Sequence, residues 1–381
     1  MLWYLSKRIL RIPFVLLSIS FVIFYISKNV PQDTVLNILE LEGKAEQNNS
    51  TDGYTKVDYL QIAKQNNLDL PNFYFGLRPS HFPKNRAIFP SDKKQENEYL
   101  QQEKRISFPV FQWNGANNQY HKWLANISKG NFGISFIDGK QVSNKIWDAF
   151  QWTIILVIIS ILLSFILGIS LGVFSKTTKQ RRTAEFFKML SYLLYAIPVF
   201  WFATIMLIFF TTDDYGSWTN IFPTISVIDP TEQGFWGKFA SSGKLLLLPI
   251  LVTTLHALGY ISRQMESSLS QEIGKPYART ALSKGLTYRS MVTKHGFKNA
   301  ILPIITLLSS AIPGTIAGSV IIETIFNIPG LGRLIFQSIM VADWNVVFGV
   351  VFLVAIITSV SFLISDLLYA KSNPKIRLDT A

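Results

Sequence analysis

Cysteine is absent from this 381-residue chain, so disulfides, thiolate metal sites and thiol nucleophiles are excluded. No G-x-x-x-x-G-K-S/T loop occurs, so the chain does not bind ATP by that device. H-E-x-x-H is missing, as is any paired set of carboxylates within an apolar run. Histidine is scarce, and no cluster of His, Met or carboxylates marks a metal, so no catalytic residue and no metal ligand is nominated. An ion-coupled transporter usually places ionisable groups at mid-membrane, or repeats broken helices in two halves. Here the apolar runs are nearly free of charge, and Glu323 and Asp366 fall near predicted helix ends. These absences describe a conduit that takes its energy from elsewhere.

What the sequence does hold is hydrocarbon. Hydrophobic residues make up 49% of it. They gather in blocks of roughly 20 residues, the length that crosses about 30 Å of bilayer core. The class is therefore integral membrane protein. The formal net charge of +12 comes from Lys and Arg clustered beside those blocks, which favours a topological role over a nucleic-acid footprint.

Lys7, Arg8 and Arg11 precede an apolar run from Ile12 to Ile26. A cleavable signal peptide is the competing reading, but no small-x-small site lies near Lys28 to Gln32, so a retained first helix is expected. From Gln32 to Lys145 the chain is polar and too long for a simple connection. It reads as a small folded extracytoplasmic domain or a partly disordered insert. Leu68-Asp-Leu-Pro71 and Tyr120-His-Lys-Trp-Leu124 read as ordered pieces, and Ser91 to Arg105 as an exposed helix or loop.

Further spans are expected at about Ile154 to Phe174, Met189 to Phe210, Leu245 to Ile261, Ile301 to Ile325 and Val346 to Tyr369. Trp147 and Trp152 suit the interface. Gly168-x-x-x-Gly172 presents two bare positions for a neighbouring helix. Pro198 predicts a kink. His256 lies on the fourth span with no acidic partner in the sequence around it, and a hydrogen bond to a neighbouring helix is expected. Pro303, Pro313, Gly314 and Gly318 make the fifth span bent, with its small residues facing other helices. Asn327 to Arg333 reads as a turn-rich external loop. Lys and Arg outnumber acids in alternate connections, which places both termini in the cytoplasm.

One connection stands out. From Tyr277 to Pro303 the chain is basic, carries no acid, and lies between long apolar runs. Its Arg279-Thr-Ala281 core with Gly285 predicts a short helix, a glycine turn and a second helix, the shape of a part that docks into another protein.

Several motifs then occur in order: Arg8-Ile-Leu-Arg-Ile-Pro13 leading to Val30-Pro-Gln-Asp33, Gly130-Asn-Phe-Gly-Ile-Ser135, and Ala196-Ile-Pro-Val-Phe-Trp201. Val320-Ile-Ile-Glu-Thr-Ile-Phe-Asn-Ile-Pro-Gly-Leu-Gly-Arg333, Asp366-Leu-Leu-Tyr369 and Asn373-Pro-Lys-Ile-Arg377 follow. Together they resemble the permease subunits of bacterial type I ABC importers, specifically the oligopeptide/dipeptide/nickel group. The resemblance implies an all-α integral membrane protein with the six-helix, MetI-like permease fold and a long extracytoplasmic insert after the first helix. It implies a first helix over residues 1–30, an extracytoplasmic domain over 31–145, a core permease domain over 146–372 and a cytoplasmic tail over 373–381.

By the same resemblance the basic connection, within a coupling loop at 266–300, is similar to the family's ATPase-docking loop. Tyr277, Ala278, Arg279, Thr280, Ala281, Lys284, Gly285 and Leu286 are its candidate coupling residues. Arg279-Thr280-Ala281 stands where the family has E-A-A, and His295-Gly-Phe-Lys298 where it has I-x-L-P. Pro313, Gly314, Gly318 and Glu323 are candidates for the translocation path or its gate, although a structural hydrogen bond at a helix end is the simpler role for Glu323. The implied partners are a homologous second permease, two ATPase subunits that hold ATP and Mg, an external substrate-binding protein and the lipid bilayer of the bacterial inner membrane. No cofactor is expected on this chain itself.

Asn67-Leu-Asp-Leu-Pro71 and Gln119-Tyr-His-Lys-Trp123 resemble family motifs that are usually joined almost directly; here Gly76 to Asn118 intervenes. It reads either as a tolerated surface insertion or, from Phe82, Phe89, Phe108, Phe111 and Trp113, as an added contact for the binding protein. Peptides lead as the expected cargo; nickel or another small solute, an ion-coupled transporter and a scaffold protein are the alternatives.

Overall fold

The computed structural model describes residues 2–29, 34–41, 56–79, 109–223, 236–237, 239–240 and 243–372. The described parts are almost entirely helical. Helix α1 (Leu2–Asn29) is followed by α2 (Thr34–Leu41), α3 (Lys56–Gln65), strands β1 (Phe75–Pro79) and β2 (Pro109–Trp113), and α4 (Gln119–Ser128). Then come α5 (Val142–Thr177), α6 (Arg181–Ala196), α7 (Val199–Thr211), α8 (Leu247–Ile273) and α9 (Pro276–Ser283). The short α10 (Tyr288–Ser290) runs through a π-helical stretch, Met291–Gly296, into α11 (Phe297–Ile325), and α12 (Leu331–Met340) and α13 (Trp344–Ser372) complete the order. Among the described residues 4 helices are long and apolar enough to cross a membrane, or up to 6 if each of two bent pairs is one span. The expectations at Val30 to Asp33, at Ser91 to Arg105, and on the 373–381 tail lie outside the described residues, as do residues 80–108 of the insert.

Three expectations about where the helices run need correction, and Trp152, expected at the interface, lies buried in the core. The third span is not one kinked helix: α6 and α7 meet at 104°. Pro198 lacks an amide donor and forces the preceding Ile197 into extended backbone (ψ 132), so the hydrogen-bond ladder stops there. The fourth helix does not end near Ile261 but continues to Ile273, carrying Glu266. That carboxylate is accommodated by Lys188 at 2.9 Å, Lys176 at 3.2 Å and the Tyr192 hydroxyl at 3.3 Å. Lastly, the expected loop at Asn327 to Arg333 becomes helical at Leu331. The fifth span is bent as expected, by 43° between Tyr288–Leu308 and Ser310–Ile325.

The described chain divides into two compact units. One comprises Met1–Leu16, Trp147–Phe336 and Leu353–Ala381. Its helices are brought together by missing side chains. A Cβ on Gly168 would lie 2.8 Å from Ile261, and one on Gly172 would lie 2.7 Å from Met265. The G-x-x-x-G face of α5 therefore receives α8 as expected. Gly259, on α8, lies directly against the Ser191 carbonyl of α6. Trp152, Leu156, Phe202, Val252, Ile322 and Phe326 fill the core between these helices.

The other unit comprises Leu17–Ile146 and Gln337–Phe352. Here the end of α1 packs Phe24 against Phe348 (centroids 5.5 Å apart) and Tyr120 (5.4 Å). The two motifs flanking the insert touch: the Gln119 amide donates to the carbonyls of Leu68 (3.1 Å) and Leu70 (2.6 Å). β1 and β2 pair antiparallel and hold the two ends of the insert side by side. An insertion at that point therefore leaves the contact between the motifs intact. Between α12 and α13, buried Asp343 accepts from the Ser135 hydroxyl (2.5 Å) and the Phe136 amide (3.2 Å). Lys145 lies 3.1 Å from Asp138 and 3.9 Å from Asp343.

Candidate functional site

The basic connection folds as its sequence predicts. Lys275 is extended before Pro276, which opens α9 at a position where the missing amide costs nothing. At the other end the Leu286 amide donates to the Ala281 carbonyl (3.3 Å) and the Gly285 amide to the Leu282 carbonyl (2.9 Å). This is a Schellman closure, and it needs a left-handed residue between the helices. Gly285 supplies it, with φ +86. Thr287 then caps α10 by accepting from the Ser290 amide (3.3 Å).

The loop is fixed from one side and open on the other. Ala278 is fully buried with Met265, Leu269, Met291, Val292 and Ile304, and Tyr277 and Ala281 pack against that core. Tyr277 donates its hydroxyl to Glu272 (2.7 Å) and Lys275 reaches the same carboxylate (2.5 Å). Burial, then the Glu272 bond, raises the Tyr277 hydroxyl pKa; the Glu272 bond raises that of the Lys275 ammonium. Arg279, Thr280, Lys284 and Gly285 are exposed, Leu286 is half-buried, and Arg289, Lys294 and Lys298 extend the exposed basic face. No described residue comes within 4 Å of where a Gly285 Cβ would stand.

Within the first unit, α5, α6, α7, α8 and α11 enclose a cavity of about 520 Å³. Hydroxyls from Ser160, Thr253 and Ser310 and the rings of Tyr195, His256 and Tyr260 line it, and no Lys, Arg, Asp or Glu among the described residues does. Tyr195 lies 5.8 Å from His256 and stacks on Tyr260 at 5.9 Å. His256 lies close to the Leu194 backbone of α6, the neighbouring helix. Its Nδ1 and the Ser160 hydroxyl have no partner among the described residues. Tyr195, Tyr260 and Ser160 escaped the sequence reading; the signal available was polar or aromatic residues within apolar runs.

Of the residues nominated for the path, Gly314 and Gly318 line this cavity, while Pro313 and Glu323 do not. The two glycines do not face a packed helix as expected: a Cβ on either would meet no described residue within 4 Å. Their bareness keeps the cavity open. Glu323 is fully buried two residues before the end of α11 and serves the start of α12. It accepts from the Thr153 hydroxyl (2.7 Å) and the Arg333 amide (3.0 Å), while the Leu331 amide donates to the same Thr153 oxygen (2.7 Å). Thr153 and Glu323 thus satisfy amides that the first turn of a helix leaves open. Gly330 and Gly332 permit this approach, since a side chain on either would strike the Glu323 carboxyl group. Among the described residues no three His, Asp or Glu side chains gather as metal ligands would.

Comparison with known proteins bears on the kind of chain this is. Residues 164–378 match the family of binding-protein-dependent transport system inner membrane components. The chain is 30% identical over 264 residues to the dipeptide transport system permease protein DppB of Haemophilus influenzae, covering 67% of this chain and 79% of that one. It is 33% identical over 260 residues to the oligopeptide transport system permease protein AppB of Bacillus subtilis, covering 68% and 79%. To the metal-staphylopine import system permease protein CntB of Staphylococcus aureus it is 29% identical over 259 residues, covering 68% and 77%. With its apolar helices, its uncharged cavity and a match over more than half its length, the chain belongs to the family of binding-protein-dependent transport system inner membrane components: it is an ABC importer permease subunit.

Proposed function

We propose that this chain forms half of the translocation path of an ATP-driven importer of di- or oligopeptides. It pairs with a homologous second permease, the pair binds two ATPase subunits, to which this chain couples through the 277–303 loop, and an extracytoplasmic binding protein delivers the substrate. Both termini lie in the cytoplasm, a placement supported by the basic residues Lys176, Lys179, Arg181 and Arg182 and those around Gly285. Permeases of this family are not enzymes, and ATP hydrolysis resides on partner subunits. ATP and Mg therefore belong to those subunits. Their closure moves the loop and switches the cavity between inward- and outward-facing forms, a ligand-biased two-state change.

The observation that carries this reading is the exposed helix–turn–helix around Gly285 on a chain with no phosphate-binding loop of its own. Because no described residue stands within 4 Å of a Gly285 Cβ, a side chain there meets no steric contact among the described residues, and once the strain of φ +86 is controlled for its effect reports on a partner. In the reconstituted transporter, Gly285→Asp is expected to abolish ATPase assembly or substrate-stimulated hydrolysis, with Gly285→Ala as the control for backbone strain. Assembly and stimulation that survive Gly285→Asp would remove the docking role.

Peptide cargo is supported by the names of the relatives and by a cavity whose hydroxyls and rings suit neutral amide groups of varied sequence. A second reading, import of a small metal chelate, is favoured by the similarity to the metal-staphylopine permease. Uptake of labelled peptides into proteoliposomes, driven by ATP and indifferent to collapse of the proton gradient, is expected. Competition by a metal chelate and not by peptides would replace the first reading with the second.

A further inference from the structure

The β1–β2 ribbon has one bare face. In its antiparallel register Phe75 stands opposite Trp113, and Leu77 opposite Phe111. Side chains two apart on a strand share a face, so these four make one apolar stripe. Phe75 is 53% exposed, Leu77 75%, Phe111 62% and Trp113 67%. Phe75 and Phe111 stack on each other at 6.1 Å, a contact along the stripe and not into a core. Together they leave on the order of 500 Å² of apolar surface uncovered, as large as the biggest patch of an ordinary monomer.

The ribbon is fastened to the C-terminal part of apolar helix α1. Phe73, two residues before β1, lies 5.0 Å from Phe21, 5.2 Å from Phe24 and 6.4 Å from Tyr25. All three belong to the apolar segment Leu10–Asn29 of α1. Tyr74 hydrogen-bonds to His121 Nδ1 (2.9 Å) and stacks on Trp113 (6.3 Å), and the Asn114 amide group donates to the Phe73 carbonyl (2.9 Å). Both strands therefore leave the unit beside the last turns of a membrane-crossing helix. On that helix Phe21, Val22, Tyr25 and Ile26 are themselves exposed, and Phe73 touches two of them. The stripe thus continues an apolar surface that begins inside the span.

We propose that the Phe75, Leu77, Phe111 and Trp113 face of the ribbon docks into the lipid bilayer, at the membrane–water interface beside the C-terminal end of α1. Phenyl and indole rings favour that zone, where an indole N–H can meet headgroup oxygens while the ring stays among hydrocarbon. The stripe offers no other hydrogen-bonding group, whereas a soluble protein partner is ordinarily met by a polar rim as well as an apolar centre. Docking of this kind fixes the height of the unit above the membrane without any contact to cargo.

The lack of cysteine makes the test direct. Leu77→Cys and, separately, Gln112→Cys on the opposite face carry a nitroxide label, in the assembled transporter held in nanodiscs of phosphatidylethanolamine and phosphatidylglycerol. Power saturation then reads collision with oxygen, which enters lipid, against a water-soluble nickel chelate. The Leu77 label is expected to show a severalfold higher oxygen-to-nickel ratio than the Gln112 label. Equal ratios mean a solvated stripe and overturn the proposal. Exclusion of both reagents at Leu77 means a protein covers it, which also overturns it. Because Leu77 is 75% exposed, its replacement does not disturb the fold, and Phe111→Cys gives an independent second reading.

Discussion

Removing one hydroxyl should unsettle the junction between α11 and α12. Thr153 donates to Glu323 (2.7 Å) and accepts from the Leu331 amide (2.7 Å), and all three residues are at most 2% exposed. Thr153→Val keeps the branched shape, so no cavity opens and the cost is polar. It leaves a buried amide and one carboxyl oxygen without their partner. A buried group left unsatisfied costs about 1–3 kcal/mol, whereas single interhelical bonds within membranes average only about 0.6 kcal/mol. Burial here is nearly complete and two groups are affected at once, so a loss of about 2–3 kcal/mol is expected. Thr153→Ser retains the hydroxyl and should lose less than about 1 kcal/mol, the range of a single methyl group. Glu323→Gln should also destabilise, because one amide orientation turns a donor toward the Arg333 N–H and the other turns it toward the Thr153 hydroxyl. The assay is unfolding in mixed detergent micelles, titrated to a midpoint for each variant. A Thr153→Val protein within about 0.5 kcal/mol of wild type, the scatter of neutral surface changes, would refute the capping role.

Other perturbations follow from the same geometry. Gly172→Val forces a Cβ to 2.7 Å from Met265 and 2.9 Å from the Ser262 carbonyl, so the α5–α8 contact must open; a loss of about 1–3 kcal/mol or more is expected in the same unfolding assay. Gly314→Ala faces open space on the cavity wall and should be at least as stable as wild type, since alanine gains about 1 kcal/mol over glycine in a helix. Tyr277→Phe removes the bond to Glu272 (2.7 Å) and should lower stability by about 0.5–1.5 kcal/mol while leaving the loop helical by circular dichroism. Burial holds the Asp343 carboxyl above the usual carboxylate range, so the folded protein takes up that proton more readily than the unfolded chain. This contribution is full below the unfolded pKa of about 4 and is lost as pH rises through the raised value. Relative to Asp343→Asn, wild type should therefore gain thermal stability as pH falls from neutral, with Asp138 opposing: its lowered pKa gives stability that is lost as pH falls. A melting-temperature difference independent of pH would contradict the assignment.

The comparison of sequence with structure separates local causes from distant ones. Spans at α5 and α13 were legible because each carries its own signal, an unbroken apolar run. The Gly285 turn was legible for the same reason: positive φ, helix closure and the Thr287 cap all arise within a dozen residues. What escaped depends on partners far along the chain. The fourth span read as ending near Ile261 because charges close apolar runs, yet α8 continues, since Lys176 of α5 and Lys188 of α6 meet the Glu266 carboxylate. Glu323 was recognisable as an acid near a helix end, but Thr153, its partner across 170 residues, was not. Pro198 announced only a kink, whereas α6 and α7 meet at 104°. The cavity is the extreme case. Five helices each contribute residues that look ordinary alone, and its openness rests on Gly314 and Gly318, whose bareness in sequence reads equally well as tight packing. Only the position of neighbouring helices decides between those meanings. Gly172 and Gly314 carry the same side chain, yet the first is closed by Met265 and the second faces empty space, so their substitutions must differ in sign.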